Sequence, residues 1–178
     1  QLRRALAHRH GDLAALALHD AHFMGAEYVD PGYRARRKDL FIVAVNCTHP
    51  SATCFCASTG DGPHAQEGFD LCLDELDEGY LIGSGSESGA RIMASLSVME
   101  PASEAQIAAA AQQQAAAVVA QSRQLPGRDL RALLRGRLED PHWERIASRC
   151  LACGNCTAVC PTCFCHSELD EGGLDLDQ

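Results

Sequence analysis

Four cysteines, Cys150, Cys153, Cys156 and Cys160, with Pro161 directly after the last, constrain this chain more than any other feature. The pattern C-x2-C-x2-C-x3-C-P is the bacterial ferredoxin spacing for a cubane iron–sulfur cluster. Thiolates two residues apart on a tight loop can wrap three corners of one cube. The small residues Ala152, Gly154 and Asn155 let backbone N–H groups approach the sulfurs. The fourth cysteine leaves in another direction with its proline, and in two-cluster ferredoxins that thiolate ligates the other cluster. A structural zinc site is the alternative, although it favours two separated Cys-x2-Cys pairs around a tetrahedral ion. A thioredoxin-like pair fits less well, because that chemistry needs one isolated pair with a depressed thiol pKa. Cys163 and Cys165, just beyond, are either further ligands or thiols packed beside the cluster.

The chain has 10 cysteines in 178 residues, gathered in short-spaced groups rather than spread around the loops of a small secreted scaffold. That favours metal or cluster ligation in a reducing compartment, and so a cytoplasmic protein. With 15 Lys+Arg against 24 Asp+Glu the net charge is −9, which argues against a nucleic-acid binder. No run approaches the roughly 20 apolar residues of a membrane span, and no export signal opens the chain. The chain begins at Gln1 without a methionine and ends in an acidic tail just past its densest motif, so it reads as a fragment.

The spacing of Leu13, Leu16, Ala17 and Phe23 predicts a helix with Asp12 as N-cap and Gly25 as stop. The apolar run Leu40, Phe41, Ile42, Val43, Ala44 and Val45 suits a strand buried on both faces. A helix-like segment is expected over 69–76 and a strand over 80–82. Ser103 with Gln106 three residues on is a capping-box signature for a helix running to 124, which carries almost no chemistry and reads as a connector. Asp140 with Pro141 opens a short helix through Trp143, Ile146 and Ala147 that delivers the chain to Cys150. The fold class expected is an α/β domain over 1–125, ending in the helical connector, followed by a truncated ferredoxin-like 4Fe-4S domain over 138–178.

A second group, Cys47, Cys54 and Cys56, follows the predicted strand directly, where ligand loops of open α/β sheets lie. Close thiols in a reduced compartment favour cluster ligation there too. Cys72 is the remaining thiol in this half and is either a fourth ligand or a packed core thiol. His49, His64 and His166 lie near the cysteines and are either ligands or solvated loop residues. Gly83, Gly85 and Gly89 match no phosphate-loop spacing and read as a surface turn. The basic run from Arg34 to Lys38 is either a solvated face or a docking patch for an acidic partner.

The string from Trp143 through Cys150, Cys153, Cys156, Cys160-Pro161 to Thr162-Cys-Phe-Cys165 resembles the iron–sulfur subunit family found in anaerobic sulfite reductase and, as the beta subunit, in sulfhydrogenase. So do Asp30-Pro-Gly-Tyr33, Ile42-Val-Ala-Val-Asn-Cys47, Thr53-Cys-Phe-Cys56, Gly62-Pro63 and Gly68-Phe-Asp-Leu71. The resemblance implies a dicluster ferredoxin-like domain that passes electrons between a flavin-bearing diaphorase partner and a catalytic partner. It implies one 4Fe-4S cluster on Cys150, Cys153 and Cys156, a second reached by Cys160, and a third on Cys47, Cys54 and Cys56. The family carries a cysteine directly before the Asp-Leu-Ala-Ala segment, and here that position is Gly11, so either Cys72 substitutes as ligand or the third site is lost. The absent second ferredoxin motif is expected beyond Gln178.

The chain has no G-x-S-x-G elbow, HExxH motif, Walker-A loop or complete Rossmann fingerprint. The function expected is therefore a non-catalytic electron-transfer subunit of a redox complex. A non-redox interaction module built on structural zinc is the alternative.

Overall fold

The computed structural model describes residues 5–25 and 27–162. Cys163, Cys165 and His166 lie outside them. The chain divides into two compact units, residues 1–130 and 131–178.

The first unit is mixed α/β. In chain order it contains β1 (Ala5–Arg9), α1 (His10–Phe23), α2 (Pro31–Lys38), β2 (Phe41–Val45), α3 (Cys56–Thr59), β3 (Leu71–Leu76), β4 (Gly79–Ser84), α4 (Glu87–Ser95) and α5 (Glu104–Val119). The strands form one sheet in the order β1-β2-β3-β4, with β1, β2 and β3 parallel and β4 antiparallel to β3. Because β1 and β2 run parallel with Arg9 opposite Val45, the residues that follow each strand leave from the same edge of the sheet. That edge carries the site. The core lies where α1 meets the sheet: Leu13, Ile42, Ala44 and Cys72 pack together, flanked by Leu16, Leu40, Ala65 and Phe69.

Several sequence expectations change. The segment over 69–76 contains strand β3 rather than a helix, because a two-residue turn at Asp77 and Glu78 folds β4 back onto it, with Leu76 opposite Gly79. A short apolar run does not by itself decide between the two states. Strand β1 was not expected, since Ala-Leu-Ala-His-Arg has no β-branched or aromatic residue, and only its pairing with β2 makes it a strand. Strand β2 is buried alternately, with Ile42 and Ala44 enclosed and Phe41, Val43 and Val45 half-buried, so only one face meets the core.

The glycine-serine run after β4 is a packing device rather than a surface turn. Ser86 caps α4 by accepting the Gly89 N–H at 3.0 Å, and it donates to Asp70. Gly89 sits so close to β3 that a Cβ there would lie 1.9 Å from the Asp70 carbonyl oxygen. The basic run is the last turn of α2, whose N-terminus is capped by Asp30 accepting from Tyr33 N–H at 2.8 Å. Arg37 reaches back to pair with Asp20 at 3.0 Å. The capping box is present as expected, with Ser103 Oγ accepting from Gln106 N–H at 3.3 Å and Gln106 Oε1 accepting from Ser103 N–H at 2.8 Å. Helix α5 stops at Val119, short of 124.

The remaining helices are α6 (Leu130–Arg135), α7 (His142–Ala147) and α8 (Asn155–Val159), and none buries a residue. Asp140 leads into α7 by accepting the His142 N–H at 2.9 Å and pairing with Arg137 at 3.0 Å. These contacts hold its carboxyl below the usual range. Among the described residues, no helix is long and apolar enough to cross a membrane.

Candidate metal centres

Helix α7 ends as expected just before the ferredoxin motif, and the Cys150 N–H still bonds to Ala147 O at 2.9 Å. The chain then passes through two left-handed residues, Ala152 at φ 51° and Gly154 at φ 70°, which bend the loop between Cys150 and Cys156. For alanine that conformation is strained, so the loop's shape is held against local preference. Here the Ala152 N–H points at Cys150 Sγ, 3.4 Å away. Cys156 lies on α8, and Cys160 at its C-cap is extended, with Pro161 preventing the helix from continuing. Thr162 Oγ1 is 3.6 Å from Cys160 Sγ. All four thiols are exposed and none is in a disulfide. The donor set is therefore four accessible thiols on a loop that already aims a backbone N–H at one of them, which fits an iron–sulfur cluster.

The second group lies at the sheet edge. Gly11 and Asp12 follow β1, Cys47 follows β2, and these residues share one cavity of about 420 Å³ with Cys54, Cys56 and Asp61. All three thiols are half-buried. The cysteine loop is pinned from both ends: Cys47 N–H bonds to Pro63 O at 3.0 Å, Cys54 N–H to Ser51 O at 3.0 Å, and Ser51 Oγ lies 3.3 Å from Cys54 Sγ. A Cβ at Gly11 would meet nothing within 4 Å, so the cavity has room on that side. Three thiols around a space of this size suit a cluster as a donor set. Among the described residues, no three His, Cys, Asp or Glu side chains stand close enough to hold a single metal ion.

Cys72 is placed differently. It is 8% exposed on β3, inside the core cluster and not among the residues lining that cavity. Burial pushes its thiol up to about 11, and the nearby Asp74 carboxylate adds to the effect. A thiol that resists losing its proton is a poor ligand. His49 bonds to its neighbour Thr48 at 2.8 Å. His64 lines a different cavity, beside Asp20 and Arg37, and its Nδ1 is enclosed without a hydrogen-bond partner.

The residue that sequence reasoning missed is Gln121. The connector helix expected to carry almost no chemistry brings this buried amide to the cysteine loop, where Nε2 donates to Cys56 Sγ at 3.3 Å and Oε1 accepts from Ala57 N–H at 3.0 Å. The same helix sends Gln114 to Asp74 at 2.7 Å, and Asp74 also accepts from Asn46 at 2.7 Å. Asn46 in turn accepts the Ala65 N–H at 2.8 Å, so a chain of amides and one carboxylate fixes the residue directly before Cys47. The only signal in the sequence was glutamine at helical spacing among alanines, which low complexity conceals.

Residues 149–177 match the 4Fe-4S dicluster domain family. Over 142 residues, 79% of this chain, the sequence is 34% identical to sulfhydrogenase 2 subunit beta of Pyrococcus furiosus. The chain spans 42% of that relative's length. No solved structure matches it. The ferredoxin spacing, the loop that carries it and these two similarities agree: the chain binds 4Fe-4S clusters and is similar to an iron–sulfur subunit of the sulfhydrogenase beta kind.

Proposed function

We propose that the chain is an electron-transfer subunit that relays electrons between a flavin-bearing reductase partner and a catalytic redox partner. The observation that carries this is the Cys150-to-Cys160 loop, whose thiols are exposed and whose backbone N–H meets a ligand sulfur. Cys150, Cys153 and Cys156 would hold one 4Fe-4S cluster, and Cys160 would reach a second. Cys47, Cys54 and Cys56 would hold a third at the sheet edge, with Cys72 left as a core thiol. A bound cluster supplies one-electron chemistry. The protein's part is ligation, hydrogen bonds to sulfur, and control of solvent around it. Similarity to a sulfhydrogenase subunit supports a multi-subunit setting. The need to keep 10 cysteines reduced favours the cytoplasm.

The test is iron and acid-labile sulfide per chain after reconstitution without oxygen, with EPR of the dithionite-reduced sample. About four irons per chain means one cubane, and about eight means that both cysteine groups are loaded. Cys153→Ala should remove roughly four. Zinc without sulfide overturns the electron-transfer assignment in favour of a structural zinc module.

A further inference from the structure

We propose that Gln121 is a positioning residue for the N-terminal cysteine group, holding Cys56 in place and donating an N–H hydrogen bond to its sulfur in the cluster-bound state. This rests on the assignment of Cys47, Cys54 and Cys56 as cluster ligands. Gln121 is 6% exposed and lies just past the end of α5, 65 residues along the chain from Cys56. Its amide is fully used. Nε2 donates to Cys56 Sγ at 3.3 Å and to Ala117 O at 3.4 Å, while Oε1 accepts from Ala57 N–H at 3.0 Å and lies 3.6 Å from the same sulfur.

The two ends of the amide have different uses in the two states of the thiol. A protonated Cys56 can donate S–H to Oε1 or accept from Nε2. A ligating thiolate can only accept, so on ligation the S–H contact disappears and the Nε2–H contact remains, while Oε1 keeps its backbone partner. The side chain need not turn over between the empty and loaded states. Such a donor favours the reduced cluster, which carries more negative charge on its sulfurs, and so raises the reduction potential.

The side chains that could replace it separate this role from simple packing. Gln121→Met fills the space with neither donor nor acceptor. Gln121→Glu keeps an oxygen for Ala57 N–H but offers the sulfur no N–H and adds a negative charge beside it. The experiment is a dithionite titration of the anaerobically reconstituted full chain followed by EPR, with Cys47→Ser identifying which signal belongs to the N-terminal group. Both Gln121 variants should shift that signal's midpoint to lower potential, Glu further than Met, with the C-terminal signals unmoved. Loss of the N-terminal iron from both variants, with circular dichroism unchanged, would also bear the proposal out. Wild-type midpoints in both variants would overturn it, since a residue that only fills space tolerates Met, as would iron lost from Gln121→Met alone with an unshifted midpoint in Gln121→Glu, which is the behaviour of an acceptor for Ala57 N–H and not of a donor to sulfur. A Cys47→Ser variant with full iron and an unchanged spectrum overturns the ligand assignment itself, a failure distinct from an unmoved Gln121 midpoint.

Discussion

Cys47 lies just past strand β2 and Cys72 lies on its neighbour β3, but their chemistry differs with position. Cys47 comes one residue after Asn46, beyond the end of β2, where the chain leaves the sheet and meets a cavity. Cys72 is held inside a strand, where burial raises its pKa to about 11 from the ordinary 9.0. Tyr33, also desolvated and hydrogen-bonded to Asp20, is raised to about 12 from 10.0. Both groups keep their protons to higher pH when folded than when unfolded. The stability they contribute is therefore complete below about pH 9 and is lost as pH rises toward 11 and beyond. Urea midpoints at pH 8 and pH 11 should show the decline. Cys72→Ala should remove a share of the slope on the order of 2 kcal/mol. Gly11 yields a prediction of the opposite kind. Since a Cβ there meets nothing within 4 Å and Gly11 lines the space shared with Cys47, Cys54 and Cys56, Gly11→Cys should fold normally. It should also slow iron loss from the N-terminal group in air, measured as iron per chain against time.

At the scale of elements, α4 and α5 are held by opposite means. Helix α4 approaches the start of β3 through Gly89, so Gly89→Ala forces a methyl against the Asp70 carbonyl. It should destabilise the first unit by roughly 1–3 kcal/mol in a urea melt. Helix α5 starts from its capping box, and Ser103→Ala should cost about 1 kcal/mol in the same assay. The sequence made some of these elements readable and hid others for definite reasons. The Ser103 and Gln106 box, the run Phe41–Val45 and the Asp140 start of α7 carry local chemistry that determines their state. Strand β1 and strand β3 carry none, and their state is decided by register with β2 and by the turn into β4. The glycine-serine run looked like a loop because close backbone approach leaves no mark beyond the missing side chain. The cysteine spacing itself was fully legible, being a local pattern. What was not legible was Gln121, because its partner lies 65 residues away and only the folded α5 brings them together.

Across the molecule, the two units are stabilised on different terms. The first has a core around Leu13, Ile42, Ala44 and Cys72. In the second, the helices α6, α7 and α8 bury nothing, and the motif thiols are exposed. Among its described residues the second unit shows no buried core, so a metal or cluster is expected to contribute to its stability. Removing iron by chelation under oxidising conditions should therefore open residues 131–162 to limited proteolysis while the β2 to β4 region stays protected, as mass spectrometry of the fragments would report. Equal loss of protection in both would show that the cluster stabilises the whole chain.

The long reach of Gln121 also sets a schedule. Cys56 leaves the ribosome 65 residues before its hydrogen-bond partner does. At about 5–20 residues per second, that interval is roughly 3–13 seconds. During that time the loop that would hold the N-terminal cluster exists with its thiols already on the nascent chain and no amide behind them. On the proposed ligation by Cys47, Cys54 and Cys56, iron delivered then would meet an unfinished pocket, and loading of this group would follow synthesis of α5.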